Sequence, residues 1–536
     1  MTGVPASASA SVSASPGDAA SPSVPASPGN AAPPPVPASS SGPVVTRLEQ
    51  RLRPDPSRVV TRLFVPGQEL VAGRESRASG VVERVLALDE DGVQRALADV
   101  MARFGNRHRD LPGTFAQHAE RMAERIGARV ELSGARRQLL GATFTHEYAI
   151  EAAALCNPSL VAHSDQRGVP AGGLRFVLSV RGIGEGHRSS IGFRTGTIAA
   201  PADTRAAAVS IDPPGPFPQV GAVTAGPLDR DVFHGKLGEL REDGESAAFV
   251  LDGLGDRFTG DDLERGLGRL RSQHDTRQNA GDTIRRLRAI AACSYTVTFP
   301  AATAVSERVL WPATAAESHG VEDARFVRFT DDDGTVTWFA TYTAFDGVGI
   351  SQQLLETTDF ATFTSSPLVG PAAANKGLAL FPRRIGGRFA ALSRRDQETN
   401  AVALSDNPRR WDSAESFQRP EQPWETIQLG NCGPPIETPD GWLVLTHGVG
   451  PMRTYSIGAV LLALDDPTRV VGRLAEPLIS PAADEQDGYV PNVVYSCGAL
   501  LHAGTLVIPY GIADSAVGFA TVLLTDLMAA LTRDAA

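Results

Sequence analysis

Cysteine is scarce in this sequence: Cys156, Cys293, Cys432 and Cys497 are its only four in 536 residues, and none form a Cys-x-x-Cys pair. That scatter argues against a zinc ribbon or a disulfide scaffold and predicts buried thiols in a reducing compartment. No apolar run reaches the roughly 18 residues that a membrane span needs. The N-terminus lacks the basic start and apolar stretch of a secretory signal. Positive charge is also in deficit, with 50 Lys+Arg against 61 Asp+Glu and a net charge of -11. This disfavours nucleic acid or an anionic membrane as partner, leaving room for a local basic pocket. A cytoplasmic enzyme without a metal or organic cofactor is the expectation.

What is present divides the chain by texture. Residues 1–43 are almost wholly Ala, Ser, Pro, Gly and Val, a composition that cannot bury enough apolar surface to order itself, so a disordered arm is expected. Residues 44–155 carry apolar residues at three- and four-residue spacing over 92–104, 114–130 and 136–155, which predicts a helical module. From 156 to 536 the pattern changes to short β-rich runs such as Arg175–Arg181, Val336–Thr343 and Gly441–His447, separated by Gly, Asp and Pro turns. Within this part an Asp-containing turn recurs at Asp359, Asp406, Asp466 and Asp526, spaced by roughly 50 to 60 residues, near the length of one four-stranded propeller blade. With the strands over 175–197 counted as another blade, the number is five. The stretch 201–303 interrupts the repeat, and its Arg-rich half over 261–292 has a helical period. It reads as an insertion between the first two blades, with a solvated charged face.

Several motifs have bland readings. Gly182-Ile-Gly-Glu-Gly186 lacks the third glycine spacing of a dinucleotide loop and precedes a strand-like segment, so it is read as a turn within a blade. His146-Glu147 and Glu151 sit in an apparent helical pattern, but Ile150 occupies the place of the second zinc-protease histidine, which leaves a structural helix. Gly320-Val-Glu-Asp-Ala-Arg325 and Thr341-Tyr-Thr-Ala-Phe-Asp-Gly347 place carboxylates, an arginine and aromatics at strand ends. Such a set can hold sugar hydroxyls and donate a proton to a leaving oxygen, and it equally suits ordinary turn chemistry. Lys376, Arg394 and His447 also fall at strand ends, where together they could meet an anion such as phosphate.

Taken together and in order, these segments resemble glycoside hydrolase family 130, the mannoside phosphorylases and mannosidases. The further matching stretches are Asn375-Lys-Gly-Leu-Ala-Leu-Phe-Pro382, Gly430-Asn-Cys-Gly-Pro-Pro-Ile-Glu-Thr438, Gly441–Gly448, Tyr489-Val-Pro-Asn-Val-Val-Tyr495 and Pro509-Tyr-Gly-Ile-Ala-Asp514. The resemblance spans about residues 157–536. It implies a mainly β fold, a five-bladed β-propeller, here with an N-terminal α-helical module and a helical insertion.

The resemblance also implies roles. Asp346 falls on the proton donor. Asp323 and Arg325 would hold the sugar at the cleavage subsite, with Arg181, Asn492 and Asp514 as further contacts and Tyr455 lining the pocket. Arg394 and His447 would bind phosphate, joined by Lys376 of the strand-end basic cluster. The implied reaction is inverting phosphorolysis of a β-mannoside to α-mannose 1-phosphate, with an oligosaccharide and inorganic phosphate as partners and homo-oligomerisation as an option for the helical module. Two departures stand out: Gln428 lies where family phosphorylases have a lysine, and Ala324 replaces the proline of Glu-Asp-Pro-Arg. Gln428 keeps a hydrolase on the same scaffold open, with Glu398 or Glu425 activating water. A non-catalytic sugar-binding propeller is the third reading.

Overall fold

The β-rich texture folds into antiparallel meanders. The computed structural model describes residues 43–66, 77–126, 132–200, 208–241, 244–272 and 279–533; nearly all of the Ala/Ser/Pro-rich arm lies outside them. The chain is mainly β. Five meanders succeed one another: strands Ala154–Ala162, Leu174–Ile183, Ser189–Ile198 and Val209–Ile211; then Gly320–Thr330, Val336–Phe345, Ile350–Thr357 and Thr362–Pro367. The third comprises Ala379–Leu380, Phe389–Ser393, Asn400–Ser405 and Glu415–Gln418. The fourth is built on Gln428–Asn431, Gly441–Gly450, Thr454–Leu462 and Val470–Arg473. The fifth has Val494–Tyr495, Thr505–Ile512 and Ala516–Leu523, and its outer strand is Val45–Leu52, from the other end of the described chain.

Strands buried on both faces read as nearly continuous apolar runs instead of alternating ones. Gly441–Gly450 is buried at every position. Apolar clusters fill the spaces between successive meanders. Phe193 packs with Phe326, Phe360 and Phe363 between the first and second; Trp411 with Leu354 and Phe389 between the second and third; Trp442 with Phe381 between the third and fourth. Leu445 and Ile508 share the cluster between the fourth and fifth. Phe519 and Val517 pack on Phe176 and Leu178, which joins the fifth to the first. Main-chain bonds repeat that last junction, with Leu160 N donating to Gly498 O at 3.2 Å and Cys497 N to Pro158 O at 2.8 Å. Among the described residues no single sheet closes on itself; the fifth meander packs against the first, so the succession is cyclic.

The recurring aspartates mark one turn of this repeat. Asp359, Asp406 and Asp466 each follow the third strand of a meander. Asp526 holds the same place in the fifth, but there the chain enters the helix Leu524–Arg533, because Val45–Leu52 already occupies the outer edge.

The region 44–155 differs from the expectation of helix throughout. It holds helices Arg77–Leu86, Glu90–Phe104, Leu111–Ile126 and Gly134–Thr143, with their own core of Val82, Val93, Met122, Leu140 and Phe144. The strands Val45–Leu52 and Val59–Leu63 fall inside the region expected to be a helical module, and Thr145–Ala149 inside its periodic stretch 136–155; long-range pairing overrides the local pattern. His146 and Glu147 therefore lie on a strand paired with Val59–Leu63, not on a helix. Glu147 pairs with Arg107 at 3.1 Å and His108 at 2.8 Å. Glu151 is a buried anchor: Arg194 binds it at 2.7 Å and Arg58, just before the strand Val59–Leu63, at 3.3 Å.

Between the first two meanders lie helices Arg230–Glu239, Glu245–Leu251, Gly260–Ser272 and Ala280–Ala292, packed on a separate core around Phe233, Val250, Leu267 and Leu287. The strand Tyr295–Thr298 returns the chain by pairing with Thr362–Pro367. Cys156, Cys432 and Cys497 are buried free thiols, whereas Cys293 is half-buried. No helix among the described residues is long and apolar enough to cross a membrane.

Candidate active site

Inner-strand irregularities create the site. In the first and second meanders the pairing slips between Cys156 and Ser159 and between Glu322 and Arg325. The residues at the slips, Asn157 and Asp323, take φ of 49° and 56°. Asn and Asp tolerate this left-handed conformation better than other side-chain-bearing residues, and a bulge redirects the side chains around it. Asn157 Nδ2 donates to Asp323 Oδ1.

Around that contact the charges form a chain. Arg181 reaches Glu322 at 2.5 Å and Asp323 at 3.5 Å, and Lys376 reaches the other oxygen of Glu322 at 2.6 Å. Burial alone pushes the Asp323 carboxyl up, but Lys376, Arg181 and Arg325 outweigh it and hold the group below its ordinary value. Arg325 is 2 % exposed and donates to Tyr495 Oη at 2.7 Å. Asp514 couples to Arg181 and Asp323; burial, offset in part by Arg181, raises its carboxyl to about 6. Three buried polar atoms here, Asn157 Oδ1, Arg181 Nε and Arg325 Nε, have no partner among the described residues. Such orphans are costly unless a ligand satisfies them, and hydroxyl groups suit both the donors and the acceptor.

A second group adjoins the first. Arg394 donates through Nε to Leu429 O at 3.0 Å and through Nη2 to Gln397 O at 2.6 Å. His447 is 2 % exposed, stacks on Tyr455 at 6.0 Å and meets the edge of Tyr495 at 4.9 Å. Burial, then Arg394 and Arg325, drives its imidazole well below the ordinary value, so it is neutral. Arg394 is itself lowered by burial and by Arg325. No carboxylate pairs with Arg394 or Arg325 among the described residues. Two guanidiniums and a neutral imidazole without a counter-charge can accept a phosphate: the guanidiniums supply forked donors and the imidazole can accept from a protonated phosphate oxygen. Gly430 makes room, since a Cβ there would stand 2.6 Å from both Arg394 Cδ and His447 Cε1. Gln428 donates to Tyr455 Oη at 3.4 Å.

The fold thus brings Arg181, Asp323, Arg325, Lys376, Arg394, His447, Tyr455 and Asp514 together. Asn492, with φ of 61°, joins through its main chain, accepting from Tyr455 N at 2.9 Å. Among the described residues Asp346 makes no direct contact with this group; it follows Val336–Phe345, the strand paired with the one that carries Glu322, Asp323 and Arg325, on an exposed turn where its Oδ1 accepts from Gly349 N at 2.7 Å and Val348 N at 2.9 Å. Those amides hold its carboxyl below the ordinary value. Glu425, 1 % exposed, is bound by Arg473 and by Glu421 N and Gln422 N, which leaves it a structural part. Glu398 is exposed on a turn. Sequence reading passed over Asn157, Glu322, Tyr495 and Gly430; an Asn-Pro inside an apolar run was the available sign for Asn157, while Tyr495 closes a quoted motif without any local sign of its pairing with Arg325.

Comparison with known proteins places the chain in a family. Residues 297–533 match the family model described as beta-1,4-mannooligosaccharide phosphorylase, glycoside hydrolase family 130. A 1,2-beta-oligomannan phosphorylase of Thermoanaerobacter sp. is 33 % identical over 225 residues, 40 % of this chain and 72 % of that protein. A beta-1,2-mannobiose phosphorylase of Listeria innocua is 30 % identical over 42 % of this chain and 64 % of its own length. A beta-1,4-mannooligosaccharide phosphorylase of Ruminococcus albus is 32 % identical over 38 % and 62 %. Among solved structures, the Listeria innocua beta-1,2-mannobiose phosphorylase in complex with beta-1,2-mannobiose aligns over 72 % of this chain and 93 % of its own, at 19 % identity and a TM-score of 0.41. With the ordered motifs and the extent of the Thermoanaerobacter match, the chain belongs to glycoside hydrolase family 130.

Proposed function

We propose that this chain is an inverting phosphorylase that cleaves a β-mannoside with inorganic phosphate and releases α-mannose 1-phosphate. The observation that carries this reading is Arg394 beside the neutral imidazole of His447, with no carboxylate paired to Arg394 among the described residues, adjoining the Arg325, Arg181, Asp323 and Asn157 cluster that offers polar atoms to a sugar. Phosphate is its own nucleophile, so the protein's task is to position and charge-stabilise it and to protonate the leaving oxygen. In this reading Asp323, Arg325, Arg181, Asn492 and Asp514 bind the mannosyl unit, Tyr455 lines the pocket, and Arg394, His447 and Lys376 serve phosphate. Attack opposite the leaving group inverts the anomeric centre.

Asp346 is the proposed proton donor. In the free protein two amides favour its ionised form, so the carboxyl must first take up a proton from solvent, which it then passes to the leaving oxygen. The cyclic succession of five meanders supports reading the architecture as a five-bladed β-propeller whose last blade takes its outer strand from Val45–Leu52. Three buried free thiols accord with a cytoplasmic location.

Hydrolysis is the second reading, favoured by Gln428 in the place of a phosphate-facing lysine. The deciding experiment incubates purified protein with β-1,2- and β-1,4-linked manno-oligosaccharides, with and without phosphate. Phosphate-dependent formation of mannose 1-phosphate is expected. Equal sugar release in both conditions, with no sugar phosphate, rejects the phosphorylase in favour of the hydrolase.

A further inference from the structure

A second cationic site lies outside the group just described. The strand Val59–Leu63, the helix Leu111–Ile126 and the segments 217–223, 298–300 and 311–313 line a cavity of about 800 Å³. None of its lining residues belongs to the proposed mannoside centre. Five basic side chains line it, Arg62, His108, Arg109, His118 and Arg121, against one carboxylate, Asp110. Two of the five are already neutralised: Arg109 binds Glu307 at 2.6 Å and His108 binds Glu147 at 2.8 Å. Asp110 accepts from Gly113 N at 2.8 Å, at the start of its helix.

Arg62 and Arg121 differ, for no carboxylate pairs with either among the described residues. They repel each other, and burial together with Arg121 and Arg188 lowers the Arg62 guanidinium. His118 is pushed down to about 4 by burial, Arg121, Arg62 and His146. Its tautomer follows from its neighbour: Thr145 Oγ1 gives its proton to Gly141 O at 2.8 Å, so it accepts from His118 Nδ1 at 2.7 Å. Nε2 is then free to take a proton when an anion arrives. Like charges gathered in a concave site without a counter-charge are costly, and a dianion relieves that cost. The walls are also apolar and aromatic. Trp311 carries Arg62 on its face at 5.0 Å, Tyr148 supports it edge-on at 4.6 Å, and Phe217 and Phe299 add ring-sized apolar surface.

We propose that this cavity binds the phosphate monoester of a small sugar, with Arg62, held in place on Trp311, and Arg121 contacting the phosphate and the half-buried Phe217 beside the ring. The site is independent of the phosphorylase reading. Its test uses the full chain carrying Arg394→Ala and His447→Ala, so that phosphate binding at the other centre is suppressed, and titrates it calorimetrically with mannose 6-phosphate, inorganic phosphate and free mannose. One equivalent of the ester should bind, more tightly than inorganic phosphate, and any heat from free mannose, which the mannosyl subsite can take, should be unchanged by Arg121→Gln. Arg121→Gln, an exposed helix position whose change the fold tolerates, should weaken the ester about tenfold or more, as should Arg62→Gln. Absence of binding at millimolar ester, or affinity unchanged in Arg121→Gln, overturns the site. Inorganic phosphate binding as tightly as the ester overturns the assignment to a sugar phosphate.

Discussion

The Nδ1–H of His447 donates to the main-chain oxygen of Asn431 at 3.1 Å, which fixes the tautomer and leaves Nε2 as an acceptor in a pocket that Arg394 and Arg325 make positive. Arg394→Ala should therefore lower kcat/KM for phosphate by about 10²- to 10³-fold, the scale of losing one preorganised charge-stabilising donor. Initial rates against phosphate concentration measure this. His447→Ala should act on the same parameter, and a double variant should lose less than the product of the two because both serve one anion.

Gly430→Ala tests the spacing. Its Cβ would lie 2.6 Å from Arg394 and His447, so the two must part. The phosphate KM should rise about tenfold with little change in thermal midpoint, as a shift of about 1 Å at a site of positioned groups costs rate before it costs stability. A normal phosphate KM would show that the two side chains need not stay together.

For Asp346→Asn the expected loss in kcat is about 10²- to 10⁴-fold with mannoside affinity nearly kept. A sugar-binding protein without catalysis would show neither the parent activity nor the loss. Steady-state rates alongside calorimetric binding of a manno-oligosaccharide separate the two.

Two groups tie stability to pH with opposite signs. The Asp514 carboxyl titrates at about 6 in the fold, above its ordinary value. Its contribution is present below about pH 4 and lost as pH rises through 6. His118 titrates at about 4 in the fold, below its ordinary value, so the unfolded chain binds the proton first and stability falls as pH drops from about 6.5 to 4. Urea unfolding at pH 4.5 and 8 should show Asp514→Asn gaining on the parent at the higher pH and His118→Gln gaining at the lower, each by about 2 kcal/mol.

Glu485 holds the borrowed strand. It is 1 % exposed, accepts from Tyr510 Oη at 2.6 Å and pairs with Arg51 at 3.3 Å and Arg47 at 3.4 Å. Glu485→Ala strands a buried hydroxyl and removes the anchor of Val45–Leu52, so it should cost about 3 kcal/mol in denaturant unfolding. A loss below about 0.5 kcal/mol, the scale of an ordinary surface change, would mean that main-chain pairing alone retains the strand.

Much of the chain's plan was legible. The continuous apolar runs and Asp turns marked the meanders because both sheet faces are buried and the turns repeat. The charged and aromatic motif residues other than Asp346 were brought together as their order suggested. The helical reading of 44–155 was wrong for Val45–Leu52 and Thr145–Ala149, whose apolar spacing fits either structure and whose partners lie outside any local window. His146 and Glu147 were misplaced for the same reason.

By itself the sequence determined the local strand and turn pattern and the family motifs, because burial on two faces and turn geometry leave their mark on neighbouring positions. Only the tertiary structure decided that Val45–Leu52 completes the last meander, that Asn157 meets Asp323 and Tyr495 meets Arg325, that Gly430 is small so Arg394 and His447 can adjoin, and that Arg62 and Arg121 share a cavity. Each of these depends on contacts between segments far apart in the chain, where charge, burial and distance are set by packing and leave no local period to read.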